Sequence, residues 1–157
     1  QPNPRSMLSI DVGRKRVGLA GCDPLGITIK PLPPLLRGKF TEDLKKLEAI
    51  CLTRSVKGLV VGLPIDEKGI QTKQSLYCKK YGEKLAKALD LPLALVNEHC
   101  SSWAAKQQFN LHDDRSGKLD SAAAALLLEQ WLKEGPEPKP FHKETLPLNQ
   151  LECHRGP

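Results

Sequence analysis

The sequence predicts a mixed α/β fold. A five-stranded sheet begins as an antiparallel hairpin and carries helices on both faces. Three observations predict it. Residues 7–12 and 16–22 are two strand-like segments joined by a short basic turn. "VKGLVVGLP" is a continuous apolar run ended by Pro64, the pattern of a strand buried on both faces in a parallel sheet. From residue 41 to residue 134, helix-period segments alternate with strand segments.

Leu8, Ile10 and Val12 alternate with Met7, Ser9 and Asp11, a period-two strand. Gly13 and the basic trio Arg14, Lys15 and Arg16 make the turn, and "RVGLAGC" returns as the partner strand. "ITIKPLPPLL" starts as a third strand, and Pro31, Pro33 and Pro34 allow it only at a sheet edge or at a strand end. Thr41 is the candidate N-cap of a first helix, with Glu42 and Asp43 in its opening turn. Leu44, Leu47 and Cys51 lie on one face of it. After the apolar strand, "IDEKGIQ" reads as a loop around Gly69. Residues 72–89 read as a second helix. Cys78, Tyr81, Leu85 and Leu89 mark its inner face, while Lys80, Lys84 and Lys87 form a stripe read as solvated. "PLALVNEH" is a last strand, with Ala94, Val96 and Glu98 on one side. A short helix capped by Ser101 or Ser102 runs through Trp103 to Phe109, "NLHDDRSG" is a polar loop, and "KLDSAAAALLLEQWLKE" is a strong final helix. From Gly135 the periodicity ends and prolines accumulate. The expected organisation is an extension over 1–5, a single domain over 6–134, and an extended or disordered tail over 135–157.

Bulk composition narrows the partners. Net charge is +6 from 24 basic and 18 acidic residues, and the pI is near 9.1. That balance suits either simple solubility or a polyanionic partner such as nucleic acid. Aromatic residues are only 4%, fewer than a protein that stacks single-stranded bases on aromatic platforms usually carries. No apolar run approaches the ~18 residues of a membrane span. Five scattered cysteines, odd in number and without CxxC spacing, read as free thiols. The first residues lack the pattern of a secretory signal, so the expected location is the cytoplasm. The four histidines show no metal-ligand spacing with the cysteines.

Three acids stand out. Asp11 is in the first strand, Glu98 ends the last one, and Asp120 is in the first turn of the final helix. Asp120 shares a helical face with Ala124, Leu127 and Trp131, the face that packs on the sheet. Each acid also has a plain structural reading: a helix-end charge, an exposed strand end, a bond to a neighbouring amide. Together, however, carboxylates converging in a covered sheet suit Mg²⁺ or Mn²⁺, hard cations that take oxygen ligands. Two such ions can activate water and stabilise the leaving oxygen in phosphodiester cleavage. Arg14, Lys15 and Arg16 would then steady phosphates. Arg115 and Lys118 border a polar loop, 110–118, that would close over substrate.

"SIDVGRKRVGLA", "VVGLPIDEKG", "NEHCSS" and "GKLDSAAAALLLE", in this order over about residues 6 to 134, resemble the YqgF family. The resemblance implies a ribonuclease-H-like fold. It also implies an activity as a pre-16S ribosomal RNA nuclease or a Holliday-junction-resolvase-like protein. It places the family's three metal-binding acids on Asp11, Glu98 and Asp120. Asn97 and His99 stand where that family usually has Asp and Arg beside the second acid.

The expected function is therefore a metal-dependent nuclease acting on structured RNA, in maturation of the 5′ end of pre-16S ribosomal RNA. The alternatives are a DNA endonuclease resolving four-way junctions and a non-catalytic RNA-binding or regulatory domain on the same fold. Paired cuts in a junction call for a two-fold dimer, so monomer and homodimer both stay open. An ATPase of the actin, Hsp70 and sugar-kinase superfamily shares the first-strand Asp-Gly pattern. It needs two such domains facing a cleft, and 157 residues supply one.

Overall fold

A computed structural model of the chain describes residues 2–66, 68–98 and 118–140. Five strands, β1 (Met7–Val12), β2 (Arg16–Cys22), β3 (Ile29–Leu36), β4 (Gly58–Pro64) and β5 (Leu93–Glu98), accompany helices α1 (Phe40–Arg54), α2 (Lys73–Leu89) and α3 (Lys118–Glu134). The strands form one sheet in the order β3-β2-β1-β4-β5. β1 and β2 pair antiparallel as the expected hairpin, and β3 joins β2 antiparallel at the edge, with a register shift where Pro33 and Pro34 fall. β4 lies parallel to both β1 and β5, so helical crossovers make those connections.

Strand parity sorts the core into two layers. Leu8, Ile10, Val12, Leu59 and Val61 face one way and pack with Leu47 of α1 and Leu85 of α2. Met7, Ala20, Val60 and Val96 face the other way, against Ala124, Leu127 and Trp131 of α3. Helices thus cover both faces, as the alternation of elements implies. Asp11 has the parity of Met7 and Ser9, so it lies on the α3 side. Ser9 fixes that pairing by donating to the Ala124 carbonyl at 2.7 Å.

The helix starts show one agreement and one correction. Thr72 caps α2 with a reciprocal pair of bonds: Ser75 N–H donates to Thr72 Oγ1 at 3.2 Å and Thr72 N–H to Ser75 Oγ at 2.6 Å. α1 starts earlier than its sequence suggests. Its N-cap is Lys39, and Thr41 lies inside the first turn. Asp43 reaches back to accept the Gly38 N–H at 3.1 Å, an alternative closure for the helix start that a search for a Ser, Thr or Asp cap overlooks.

The chain ends described here are tied to the sheet domain. Trp131 Nε1 donates to the Pro136 carbonyl at 2.7 Å. Glu137 accepts from the Asn3 N–H and from Arg5. Lys139 and Leu93 exchange two backbone bonds of 2.8 Å. The tail from 141 onward, the expected helix through 103–109 and the loop as far as 117 lie outside the described residues. Among the described residues, no helix is long and apolar enough to cross a membrane.

Candidate active site

Two mid-strand glycines organise the three acids. Asp11 lies opposite Gly18 on β2. On its other side the last parallel pair is Ile10–Val61, so the next residue along β4 is Gly62. Glu98 ends β5, beyond β4. Its side chain crosses the bare backbone of Gly62: a Cβ there would stand 2.8 Å from Glu98 Cδ and 3.0 Å from Oε1. That crossing lets Glu98 hydrogen-bond to the side chain of Asp11. Glu98 is 5% exposed, and its Oε2 is buried without a hydrogen-bond partner among the described residues. Burial pushes the Glu98 carboxyl up to about 7, while the bond to Asp11 pulls the other way.

Asp120 arrives on the opposite flank of Asp11. A Cβ on Gly18 would lie 2.0 Å from the Asp120 carbonyl oxygen and 2.9 Å from Asp120 Cβ. The first turn of α3 therefore rests directly on the cross-strand partner of Asp11, a close approach only glycine permits. Ser121 holds that turn down by donating to the Leu32 carbonyl at 2.6 Å. Gln130, three turns on, donates to the Asn97 carbonyl at 3.1 Å and ties the same helix to the strand that ends in Glu98. The Asp120 carboxylate meets a cation: Arg16 Nε donates to Oδ2 at 3.1 Å. Arg16, expected among the phosphate contacts, is engaged there, while Arg14 and Lys15 project exposed from the β1–β2 turn.

Among the described residues, no three His, Cys, Asp or Glu side chains form a ready-made metal cluster. The Asp11–Glu98 pair nevertheless fits a divalent cation by its chemistry. It offers hard oxygen donors, one of them a buried oxygen without a hydrogen-bond partner among the described residues, and a Glu98 carboxyl that burial pushes up to about 7 and to which a cation would give its charge back. Asp120 shares the sheet face and end of that pair, with Arg16 on its carboxylate. Arg115, His99 and the Lys118 side chain lie outside the described residues. A single-residue reading of the sequence finds the acids but passes over Gly18 and Gly62. The signal for both was glycine inside an otherwise apolar strand.

The family model described as "RuvX: Holliday junction resolvase" matches residues 5–134. A protein of Prochlorococcus marinus (strain MIT 9313) is 62% identical over 99% of this chain and 97% of its own length. One of Synechococcus sp. (strain CC9605) is 65% identical over 89% of each chain. Both carry the name "Putative pre-16S rRNA nuclease". Among solved structures, Thermus thermophilus RuvC in complex with a Holliday junction substrate is similar in fold. Its TM-score is 0.50 at 14% identity, covering 87% of this chain and 99% of that one. The likeness gives the ribonuclease-H-like fold.

Proposed function

The chain belongs to the RuvX family, the family its motifs resemble under the name YqgF, and on that premise we propose that it is a metal-dependent nuclease hydrolysing phosphodiester bonds in structured RNA. The substrate we assign is the 5′ end of pre-16S ribosomal RNA, after the name its relatives carry, and the place of action is the cytoplasm. The observation that carries the reading is the buried Glu98 carboxyl beside the half-buried Asp11, with Glu98 Oε2 lacking a partner among the described residues and Asp120 on the same sheet face.

Asp11, Glu98 and Asp120 would hold Mg²⁺ or Mn²⁺. A bound divalent ion supplies a Lewis acid for the phosphoryl oxygen and lowers the pKa of bound water. Glu98, pushed up by burial, would give up its proton to take up that charge. Gly62 and Gly18 keep the space between the three acids clear of side chains. Arg14 and Lys15, on the turn just past Asp11, hold the substrate backbone as point charges without reading sequence. Arg16 holds the Asp120 carboxylate that a cation would take over. Arg115 and Lys118 are assigned as further phosphate contacts, and residues 6–134 as the nuclease domain.

The family's printed description supports a second reading, resolution of four-way DNA junctions. That chemistry takes two active sites in a two-fold dimer, whereas RNA trimming is served by one. A single experiment separates the readings. Wild type and Asp11→Asn are incubated with precursor 16S RNA and with a four-way DNA junction, each with Mg²⁺, Mn²⁺ or chelator. Metal-dependent cleavage of the RNA that is lost in Asp11→Asn supports the proposal. Cleavage of the junction alone transfers the function to DNA. Cleavage of neither substrate under any metal overturns the nuclease reading.

A further inference from the structure

On the face of the sheet opposite the three acids, a cleft of about 300 Å³ opens between the start of α1 and the middle of α2. We propose that it is a second nucleic-acid subsite, which takes single-stranded nucleotides of the substrate strand after that strand passes over the β1–β2 turn. The proposal rests on the nuclease reading for the identity of the strand, and on the cleft's own chemistry for the binding.

Arg37 is the centre of the cleft. Its guanidinium lies 5.4 Å from the Tyr77 ring centroid and 5.0 Å from that of Tyr81, and it also bonds the Tyr77 hydroxyl. Its Nη1 donates to the Gly13 carbonyl at 2.8 Å, and its backbone N–H to the Lys15 carbonyl at 2.8 Å. Gly13 is two residues past Asp11, about 7 Å of extended chain. The cleft is thus bonded to the turn that carries Arg14 and Lys15. A continuous basic track leads from the acids over that turn to Arg37.

The far wall continues the pattern. Phe40 stands edge-on to Tyr81, with centroids 6.1 Å apart, and Lys84 Nζ lies 4.1 Å from the Phe40 centroid. Lys80 completes the rim. Two members of the lysine stripe on α2, Lys80 and Lys84, therefore border the cleft, and both are exposed, as the solvated face expected for them implies. The single carboxylate of the lining, Asp43, is 2% exposed and already accepts the Gly38 N–H. Arg37, Lys80 and Lys84 leave the lining net positive.

Aromatic residues are scarce in this chain, yet both its tyrosines and one of its three phenylalanines meet here. Tyr77 is 44% exposed, and so offers ring surface to a base. Cations that track phosphates beside aromatic rings that accept bases are the chemistry of single-strand binding. An acidic peptide would use the lysines but leave that ring surface idle.

The test is fluorescence anisotropy with a short labelled single-stranded RNA in chelator, so that nothing is cut, over a series of KCl concentrations. Lys80→Gln combined with Lys84→Gln is expected to weaken binding and to lower the salt slope by about 1.4, about 0.7 for each phosphate contact removed. Tyr77→Ala is expected to weaken binding about tenfold. Lys87→Gln, on the same helix outside the cleft, is expected to bind as wild type does. Thermal melts establish that each variant is folded. Unchanged affinity and salt slope in the folded Lys80/Lys84 variant overturn the subsite, as does displacement of the RNA by a labelled-free acidic peptide at lower concentration than by unlabelled RNA. Equal losses for single-stranded and duplex RNA overturn its preference for single strands. Asp11→Asn distinguishes the two levels: it retains RNA binding if the subsite is real, while undiminished cleavage by it counts against the nuclease reading alone.

Discussion

Glu98 occupies the space that a side chain at position 62 would fill. Its Cδ lies 2.8 Å from where a Cβ on Gly62 would stand, and from that position it reaches Asp11. The contact between two acids on non-adjacent strands thus depends on a missing side chain on the strand between them.

Gly62→Ala is therefore expected to push Glu98 off Asp11 while the sheet survives. Displacing a catalytic group by about 1 Å can lower a rate by about 10²-fold. The overpacking is expected to lower stability by about 1–3 kcal/mol. Cleavage rates measured beside a thermal melt separate the two effects. A variant as active as wild type would show that Glu98 need not lie over Gly62.

The Glu98 carboxyl also sets a pH dependence. Burial raises it from an ordinary 4.5 to about 7, so between those values the folded protein holds a proton that the unfolded chain has lost. Stability of the metal-free protein therefore falls as pH rises through that window. Glu98→Gln removes the ionisation, so its melting temperature is expected to exceed that of wild type above pH 7 and to lose this part of the slope. Melting curves from pH 4 to pH 8 in chelator measure it. A wild-type slope that persists unchanged in Glu98→Gln would assign the effect to another group.

Arg16 competes with any cation for Asp120. Its ion pair is partly exposed, with 27% and 29% side-chain exposure, so Arg16→Gln is expected to lower stability by less than about 1 kcal/mol. Removing the positive charge is expected to tighten Mn²⁺ binding. Calorimetric titration checks both the sign and the size, and weaker Mn²⁺ binding in the variant would contradict the competition.

Trp131 anchors the lower half of α3. It is fully buried, and its indole N–H holds the Pro136 carbonyl. Trp131→Ala is expected to lower stability by about 3–5 kcal/mol, and Trp131→Phe by less. Urea unfolding at fixed pH reads the difference.

Periodicity makes much of this fold legible in the sequence. Alternation along residues 7–12 assigned Asp11 to the face of Met7 and Ser9, and the i, i+4, i+7, i+11 spacing from Asp120 to Trp131 assigned that face of the helix to the sheet, without saying to which side. The prolines of residues 31–34 placed β3 at an edge. What stayed hidden was set by long-range contact. Arg16 and Asp120 are 104 residues apart in sequence, and nothing local to the basic turn distinguishes the arginine that meets an acid from the two side chains that stay exposed. The same holds for Arg37, whose role depends on the Gly13 carbonyl and on two rings from α2. The start of α1 was misjudged because Asp43, a residue inside the helix, closes it from within.

In the proposed site Glu98 gives up a proton when it and Asp11 take a divalent cation. Titrating Mn²⁺ into the protein near pH 6.5 by calorimetry, in two buffers of different ionisation enthalpy, counts the protons released per ion bound. Saturable binding, release of a substantial fraction of one proton, and loss of both in Asp11→Asn and in Glu98→Gln are expected. Binding of equal affinity and equal proton release in wild type and both variants would contradict it.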